Sequence, residues 1–220
     1  PLDFQPGEDH RYSNSGYVLL GRIVEQVADM AYETFVNEHI FEPLGMENTG
    51  YDWNNRVMKH RAMGYDLQDD TFVNAPYLDM SIPHAAGALY STVEDLLLWD
   101  QALYTEQLVP RSSLETMFMF SPFLANYGYG VGVNRQFNRR MIGHSGGLHG
   151  FVTRFERYVD EKVCIVVLSN LTSSRPTEIA QTLAAMVFGE AYEVPEVRTP
   201  IQLEPGVYES YEGEYQLAPG

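Results

Sequence analysis

The chain has 220 residues, of which 45% are hydrophobic and 20% charged, a composition typical of globular proteins and unlike that of disordered or fibrous ones. Its formal net charge is −16, and a field of that sign repels phosphate backbones and anionic lipid headgroups, which argues against nucleic acid or membrane surfaces as partners. No apolar run reaches the roughly 18 residues that a membrane-spanning helix needs, and the single cysteine, Cys164, excludes an intrachain disulfide.

The first half of the chain is predicted to be mainly helical. Apolar side chains recur there at three- and four-residue steps, for example at Tyr17, Leu20 and Val24. The run Ser91-Thr92-Val93-Glu94 is typical of a capping box, in which a serine hydroxyl and a glutamate satisfy free amide groups at a helix start. Residues 46–90, which are rich in Asn, Gly and Pro, are expected to be irregular. The predicted helices cover residues 15–30, 32–41, 91 or 92 to 103, and 111–118.

The second half is predicted to form a sheet. Apolar and polar residues alternate over 150–158, which indicates a half-buried strand, and residues 163–168 are continuously apolar, which favours a central strand. A third strand is predicted at 129–133, and a helix at 178–188 follows the sheet. Three antiparallel strands flanked by helices, beside a helical subdomain, predict an α+β fold.

Two short regions are predicted to follow this domain. Residues 189–206 contain three prolines and are interpreted as a linker, and residues 207–220 alternate again and are interpreted as the start of an appended β module. A three-stranded sheet has open edges. We therefore expect further strands from a missing segment of the chain or from a partner chain.

The run Gly143-His144-Ser145-Gly146-Gly147 matches the G-x-S-x-G pattern of a nucleophile elbow. An elbow follows a buried strand and begins a helix, whereas an alternating strand follows here. The α/β-hydrolase order also requires a histidine well after the serine, and the last histidine is His149. A hydrolase that uses Ser145 in such an elbow is therefore an alternative, and not the favoured interpretation.

Two separated triplets carry a different resemblance. Tyr12-Ser13-Asn14 precedes a predicted helix, and His144-Ser145-Gly146 precedes a predicted strand. Together they resemble the second and third motifs, S/Y-x-N and K/H-T/S-G, of the serine β-lactamase and penicillin-binding protein superfamily. Tyrosine in the second motif is similar to the branch of class C β-lactamases, DD-peptidases and family VIII esterases. Further stretches resemble this branch in the same order: residues 4–7, 43–49, 86–96, 127–130 and 147–151.

The first motif of that superfamily, S-x-x-K, is absent from the chain. The only lysines are Lys59 and Lys162, and the positions three residues before them hold Arg56 and Val159. The resemblance places this serine upstream of the tyrosine motif. It therefore implies that residues 1–188 are the C-terminal part of a β-lactamase/transpeptidase-like domain whose N-terminal part is missing.

The resemblance also implies roles for the matching residues. Tyr12 would be the general base or acid, and Asn14 would hydrogen-bond the substrate amide. His144 would bind a substrate carboxylate or polarise the tyrosine, and Gly147 would donate a backbone N–H to the oxyanion hole beside Ser145 and Gly146. Each has a structural alternative: packing for the tyrosine, helix capping for Asn14, and a hydrogen-bonded structural role for the histidine.

The implied activity is acyl transfer through a covalent acyl-enzyme on D-amino-acid peptides, β-lactams or small esters. This chain alone is expected to be inactive, and the alternative is a non-catalytic scaffold or binding protein of the same fold. The remaining histidines have no metal-ligand spacing, so neither a metal nor a cofactor is expected. An extracytoplasmic location is favoured by the resemblance only. Five aromatic residues could line the substrate cleft or pack in the core: Phe118, Phe120, Phe123, Tyr127 and Tyr129.

Overall fold

The structure, a computed structural model, describes residues 3–5, 8–119, 126–193, 206–207 and 213. A helical half is followed by an antiparallel sheet and a final helix. The helices are α1 (Asn14–Ala28), α2 (Tyr32–Val36), a π-helical turn (Asn37–Phe41), α3 (Glu42–Leu44), a 3-10 turn (His84–Ala86), α4 (Val93–Ala102), α5 (Arg111–Met117) and α6 (Pro176–Phe188). The strands are β1 (Gly50–Tyr51), β2 (Tyr65–Gln68), β3 (Thr71–Asn74), β4 (Leu89–Tyr90), β5 (Gly132–Gln136), β6 (Arg139–Leu148), β7 (Phe151–Tyr158) and β8 (Val163–Ser169).

The start of α1 is determined by a serine cap. Ser13 has an extended backbone, and its Oγ accepts a hydrogen bond from the Gly16 amide at 3.1 Å, as is usual for an N-cap. The helix ends at Asp29, which adopts a left-handed conformation with φ 51°. The predicted helix at 32–41 is present but continues through α3 to Gly45, and its middle turn is π-helical.

The cap of α4 lies one residue later than the predicted capping box. Thr92, and not Ser91, is the N-cap, and its Oγ1 accepts from the Asp95 amide at 3.2 Å. The hydroxyl of Ser91 is instead bonded to Thr49 Oγ1 at 2.7 Å. The buried Asp95 carboxylate accepts from Thr49 Oγ1 at 2.7 Å and from the Asn48 amide at 2.8 Å. The hydrogen bonds of Ser91 and Asp95 therefore attach the loop after α3 to the start of α4.

The sequence predicted that residues 46–90 are irregular, but the structure contains four short strands there. β1 pairs with β4, and β2 and β3 form an antiparallel hairpin. Asp69 and Asp70, at the hairpin tip, both have positive φ, at 47° and 59°, which suits the right-handed twist of a two-residue turn. These strands are short and largely exposed, so they lack the buried alternation from which strands are recognised.

The main sheet has four antiparallel strands in the order β5-β6-β7-β8. Two predictions about it were wrong. The strand β6 had been missed, because its glycines and polar residues hide its alternation, and β8 lies at the edge of the described sheet rather than at its centre. The apolar run of β8 is explained by packing on both faces, against α6 and against α4. The strand predicted at 129–133 begins later, at Gly132.

Helices cover both faces of this sheet. The adjacent residues Met141 and Ile142 point to opposite faces, as the strand pleat requires. Met141 packs with Tyr158 of β7 and with Ala184 of α6. Ile142 packs with Leu114 of α5. The helical half has its own buried cluster of Val36, Phe41 and Met46.

The predicted linker and β module lie almost entirely outside the described residues. Residues 189–193 follow α6 without helix or strand, and 194–205 are not described. Of residues 207–220, the structure describes only 207 and 213. Both assignments remain predictions.

Gly21 gives a test of the contact between α1 and the 3-10 turn. A methyl group on Gly21 would lie 2.4 Å from Cβ of Ala85 and 3.1 Å from Nε2 of His84. We expect Gly21→Ala to lower the free energy of unfolding by about 1–3 kcal/mol, measured by chemical denaturation. Gly16→Ala, in the same helix, meets its nearest atom at 3.7 Å and should stabilise by up to about 1 kcal/mol. Equal effects of the two substitutions would contradict the close packing.

Candidate active site

One side of β6 is open along half of its length. β7 pairs with residues 141–148, whereas β5 pairs only with residues 139–143. Among the residues that the structure describes, 144–148 therefore have a strand neighbour on one side only. In an extended strand, the N–H and C=O groups of alternate residues point to that open side. An extended substrate could form backbone hydrogen bonds with them there.

Tyr12 and Asn14 lie at the start of α1, on the wall facing this edge. The Tyr12 hydroxyl donates a hydrogen bond to Oδ1 of Asn14 at 3.0 Å. The side chain of Asn14 is not used to cap the helix, because Ser13 does that. Both residues are exposed, with Tyr12 at 57%, and both line the cleft that also contains the open edge.

The two sequence motifs meet across this cleft. The ring centroids of Tyr12 and His144 lie 6.2 Å apart, with an angle of 31° between their planes. These residues are far apart in the chain, and the tertiary fold brings them together. The catalytic roles assigned to them by resemblance remain predictions.

His144 makes two hydrogen bonds through its ring. Nδ1 lies 2.6 Å from the backbone oxygen of Ser145, and Nε2 lies 2.8 Å from the hydroxyl of Tyr127. Burial raises the pKa of Tyr127 to about 12, and the neighbouring phenols of Tyr17 and Tyr12 add to the shift. The phenol is therefore protonated at neutral pH.

Tyr127 is a site residue that the sequence left undecided. Of the five aromatic residues considered together, Phe118 is buried in the core and Tyr129 is 70% exposed. Phe120 and Phe123 lie outside the described residues. Tyr127 lines the cleft, and the signal that could have singled it out was its place in the matching run Tyr127-Gly128-Tyr129-Gly130.

The third motif lies within a strand rather than before one. Ser145 is paired with Arg154 in the regular ladder of β6 and β7. The pleat places its side chain on the face opposite to that of His144. A nucleophile elbow requires a sharp turn from a strand into a helix, and this geometry does not provide one.

The two glycines of the motif differ in their surroundings. A Cβ on Gly146 would lie 2.4 Å from Oγ1 of Thr153, its partner on β7. A Cβ on Gly147 would have no neighbour within 4 Å. No described residue therefore fills the space beside Gly147, where a ligand could approach its backbone.

The cleft is large, with a volume of about 1880 Å³. This exceeds the roughly 300–1,000 Å³ of typical small-molecule sites, so it has room for a peptide or for additional polypeptide. Among the described residues, no group of three or more acidic, histidine or cysteine side chains is arranged to hold a metal ion. In the same part of the chain, no helix is both long and apolar enough to cross a membrane.

Comparison with known proteins identifies the family. The sequence profile of the Beta-lactamase family matches residues 1–187. The chain belongs to the beta-lactamase family. Its sequence is 34% identical to penicillin-binding protein 4* of Bacillus subtilis, in an alignment that covers 99% of this chain and 53% of that protein. It is 29% identical to protein flp of Staphylococcus aureus strain MW2, over 84% of this chain and 38% of the relative.

Solved structures of family members share the fold. The octameric penicillin-binding protein homologue from Pyrococcus abyssi superposes with a TM-score of 0.76 at 31% identity, over 85% of this chain and 44% of that one. A D-stereospecific amidohydrolase from Streptomyces superposes with a TM-score of 0.74 at 27% identity, over 86% and 58% respectively. The chain thus spans about half of the length of these family members, and its α+β fold is the β-lactamase/transpeptidase-like fold predicted from the motifs.

The contrast between Gly146 and Gly147 can be measured. We expect Gly146→Ala to destabilise the protein by about 1–3 kcal/mol, because the methyl group would collide with the Thr153 hydroxyl. Thr153→Ala in the same chain should restore most of this loss. Gly147→Ala should change the free energy of unfolding by less than about 0.5 kcal/mol, as for an exposed position without close neighbours. Chemical denaturation would measure all three, and equal losses for the two glycine variants would contradict the geometry.

Proposed function

We propose that this chain is part of a serine hydrolase that acts through an acyl-enzyme on D-amino-acid peptides, β-lactams or small esters. The observation that carries the proposal is the approach of the Tyr12 and His144 rings, 6.2 Å apart, beside an open strand edge. Membership in the beta-lactamase family supports it, as do relatives named as a penicillin-binding protein and a D-stereospecific amidohydrolase.

The proposed chemistry divides between this chain and a segment outside it. A serine from an S-x-x-K motif would attack the carbonyl carbon. Tyr12, after giving its own proton to the lysine of that motif, would take the serine hydroxyl proton and pass it to the leaving group. Water would then hydrolyse the ester bond and regenerate the serine. Asn14, bonded to the Tyr12 hydroxyl at 3.0 Å, would orient that phenol and contact the substrate amide.

The open edge of β6 would bind the substrate backbone. An extended substrate that pairs with residues 144–148 would place its scissile carbonyl near the amide of Gly147, in the free space above that residue. That amide would stabilise the oxyanion, and the amide of the attacking serine would supply the second donor. A small molecule or a peptide fits this arrangement.

We further propose that additional polypeptide covers apolar faces that are exposed in this chain. On α1, Leu19, Ile23 and Val27 are exposed at 64%, 56% and 82%. On α6, Ile179 and Val187 are exposed at 45% and 58%. Apolar stripes of this kind normally pack against another element, here the segment with the S-x-x-K motif or a partner chain.

The first test compares this chain with a longer polypeptide that includes an S-x-x-K segment. A fluorescent penicillin or a fluorophosphonate should label the longer polypeptide stoichiometrically and leave the 220-residue chain unlabelled, because the chain has no S-x-x-K. Mass spectrometry would locate the adduct. An adduct on Ser145 would favour the G-x-S-x-G alternative, and no labelling of a folded longer polypeptide would favour a non-catalytic scaffold.

The second test concerns Tyr12. In the longer polypeptide, Tyr12→Phe should slow acylation by about 10²- to 10⁴-fold, the usual contribution of general acid–base catalysis. Stopped-flow or gel-based labelling would measure the rate constant. Tyr77→Phe is the matched control, since Tyr77 is 75% exposed and lies outside the cleft. Similar acylation rates in the two variants would remove Tyr12 from the mechanism.

A further inference from the structure

Both ring nitrogens of His144 have protein partners. A carbonyl oxygen can only accept a hydrogen bond, so the 2.6 Å contact with the Ser145 oxygen requires hydrogen on Nδ1. In the neutral imidazole, Nε2 is then an acceptor, and the only hydrogen available for its 2.8 Å contact is that of the Tyr127 hydroxyl. The two bonds select the same tautomer.

The Tyr127 hydroxyl is well suited to this donation. Its pKa of about 12, raised mainly by burial, keeps the hydrogen on the oxygen. The nearby phenols of Tyr12 and Tyr17 also raise the pKa of Tyr127, and the centroids of the His10 and Tyr127 rings lie 5.8 Å apart. The position of Tyr127 is held by the turn that follows it, in which the Gly128 amide donates to the Val131 oxygen at 2.8 Å.

Tyr12 does not occupy this place. Its hydroxyl donates to Asn14, and its ring lies beside the His144 ring without a hydrogen bond to it. The tyrosine that contacts the imidazole directly is therefore Tyr127, although the family motif draws attention to Tyr12.

We propose that Tyr127 is a positioning residue: its hydroxyl donates to Nε2 of His144 and holds the ring in the neutral tautomer that carries its hydrogen on Nδ1. His144 then has no N–H to offer to a substrate carboxylate. Of the two roles that the resemblance implies for His144, carboxylate binding does not fit this geometry, and polarisation of Tyr12 would have to act without a hydrogen bond between the two side chains. An uncharged substrate end, such as an amide or ester, would need no cation here.

The tautomer can be observed directly in the 220-residue chain. Two-bond proton–nitrogen correlation spectra of the nitrogen-15-labelled chain distinguish the tautomers of its six histidines, and His144→Gln identifies the signal of interest. We expect hydrogen on Nδ1 of His144. Tyr127→Phe should shift the ratio towards the other tautomer by roughly 2- to 12-fold, the value of one lost neutral hydrogen bond.

Tyr129→Phe is the matched control, because Tyr129 lies in the same turn and is 70% exposed. It should leave the His144 signal unchanged. Hydrogen on Nε2 in the unmodified chain would overturn the proposal, as would equal tautomer ratios in the two phenylalanine variants. The spectrum of the unmodified chain decides the matter even if Tyr127→Phe fails to fold.

The tautomer of His144 does not depend on the proposed function. Only the role of that tautomer in catalysis does. The spectra require neither the nucleophile nor a substrate. An unexpected tautomer and a failure of acyl labelling are therefore separate results, and either can occur without the other.

Discussion

The unequal pairing of β6 is the constraint on which the site depends. Residues 141–143 are paired on both sides, and residues 144–148 have a strand neighbour on one side only in the described part of the chain. β5 cannot extend further because the chain turns sharply before Gly132. The Gly128 amide donates to the Val131 oxygen, and Gly130 has φ 80°, where a Cβ would lie 2.6 Å from the Tyr17 hydroxyl. The turn that leaves this edge open also brings the Tyr127 hydroxyl to His144.

Buried polar contacts hold the helical half against the sheet. Arg157 of β7, 1% exposed, bonds the Asp100 carboxylate at 2.7 Å and the Asp100 backbone oxygen at 3.1 Å. Its guanidinium also lies 4.5 Å from the centre of the Tyr104 ring. Loss of one partner from such a pair costs about 3–5 kcal/mol, because the other charge stays buried. With the Asp95 contacts at the start of α4, this pair anchors the helical half beside the sheet edge.

The polar residues of the cleft have different hydrogen-bond partners. Ser13 caps α1, so the side chain of Asn14 does not, and its Oδ1 accepts a hydrogen bond from the Tyr12 hydroxyl. Both ring nitrogens of His144 form hydrogen bonds with protein atoms, so neither has a free N–H for a substrate. The cleft is nevertheless lined by the cationic side chains of Lys59, Arg61 and Arg154. Under the proposed function, the two hydrogen bonds of His144 favour a substrate whose end beside this ring is uncharged.

Local and family patterns in the sequence predicted much of the fold. The sequence pattern predicted α1, α4, α5 and α6. Leu114 of α5 and Ala184 of α6 lie in buried clusters, whereas α1 buries only Gly21 and leaves most of its apolar side chains exposed. The ordered motifs were sufficient for the family, and they indicated Tyr12, Asn14 and His144 before any coordinates. The hairpin β2–β3 and the strand β6 were not predicted, because exposed or glycine-rich strands lack the alternation of buried apolar and exposed polar residues.

Other features were decided by tertiary structure alone. The edge position of β8 could not be read from its apolar residues, because packing against helices and burial between strands produce the same pattern. The choice of Thr92 over Ser91 as a cap depends on Thr49, which is distant in the chain. The sequence by itself determined the family and the candidate catalytic residues, because these are properties of local residue order. Which tyrosine bonds His144 was decided only by folding, because that contact requires the turn before β5 and the pleat of β6 to meet in space.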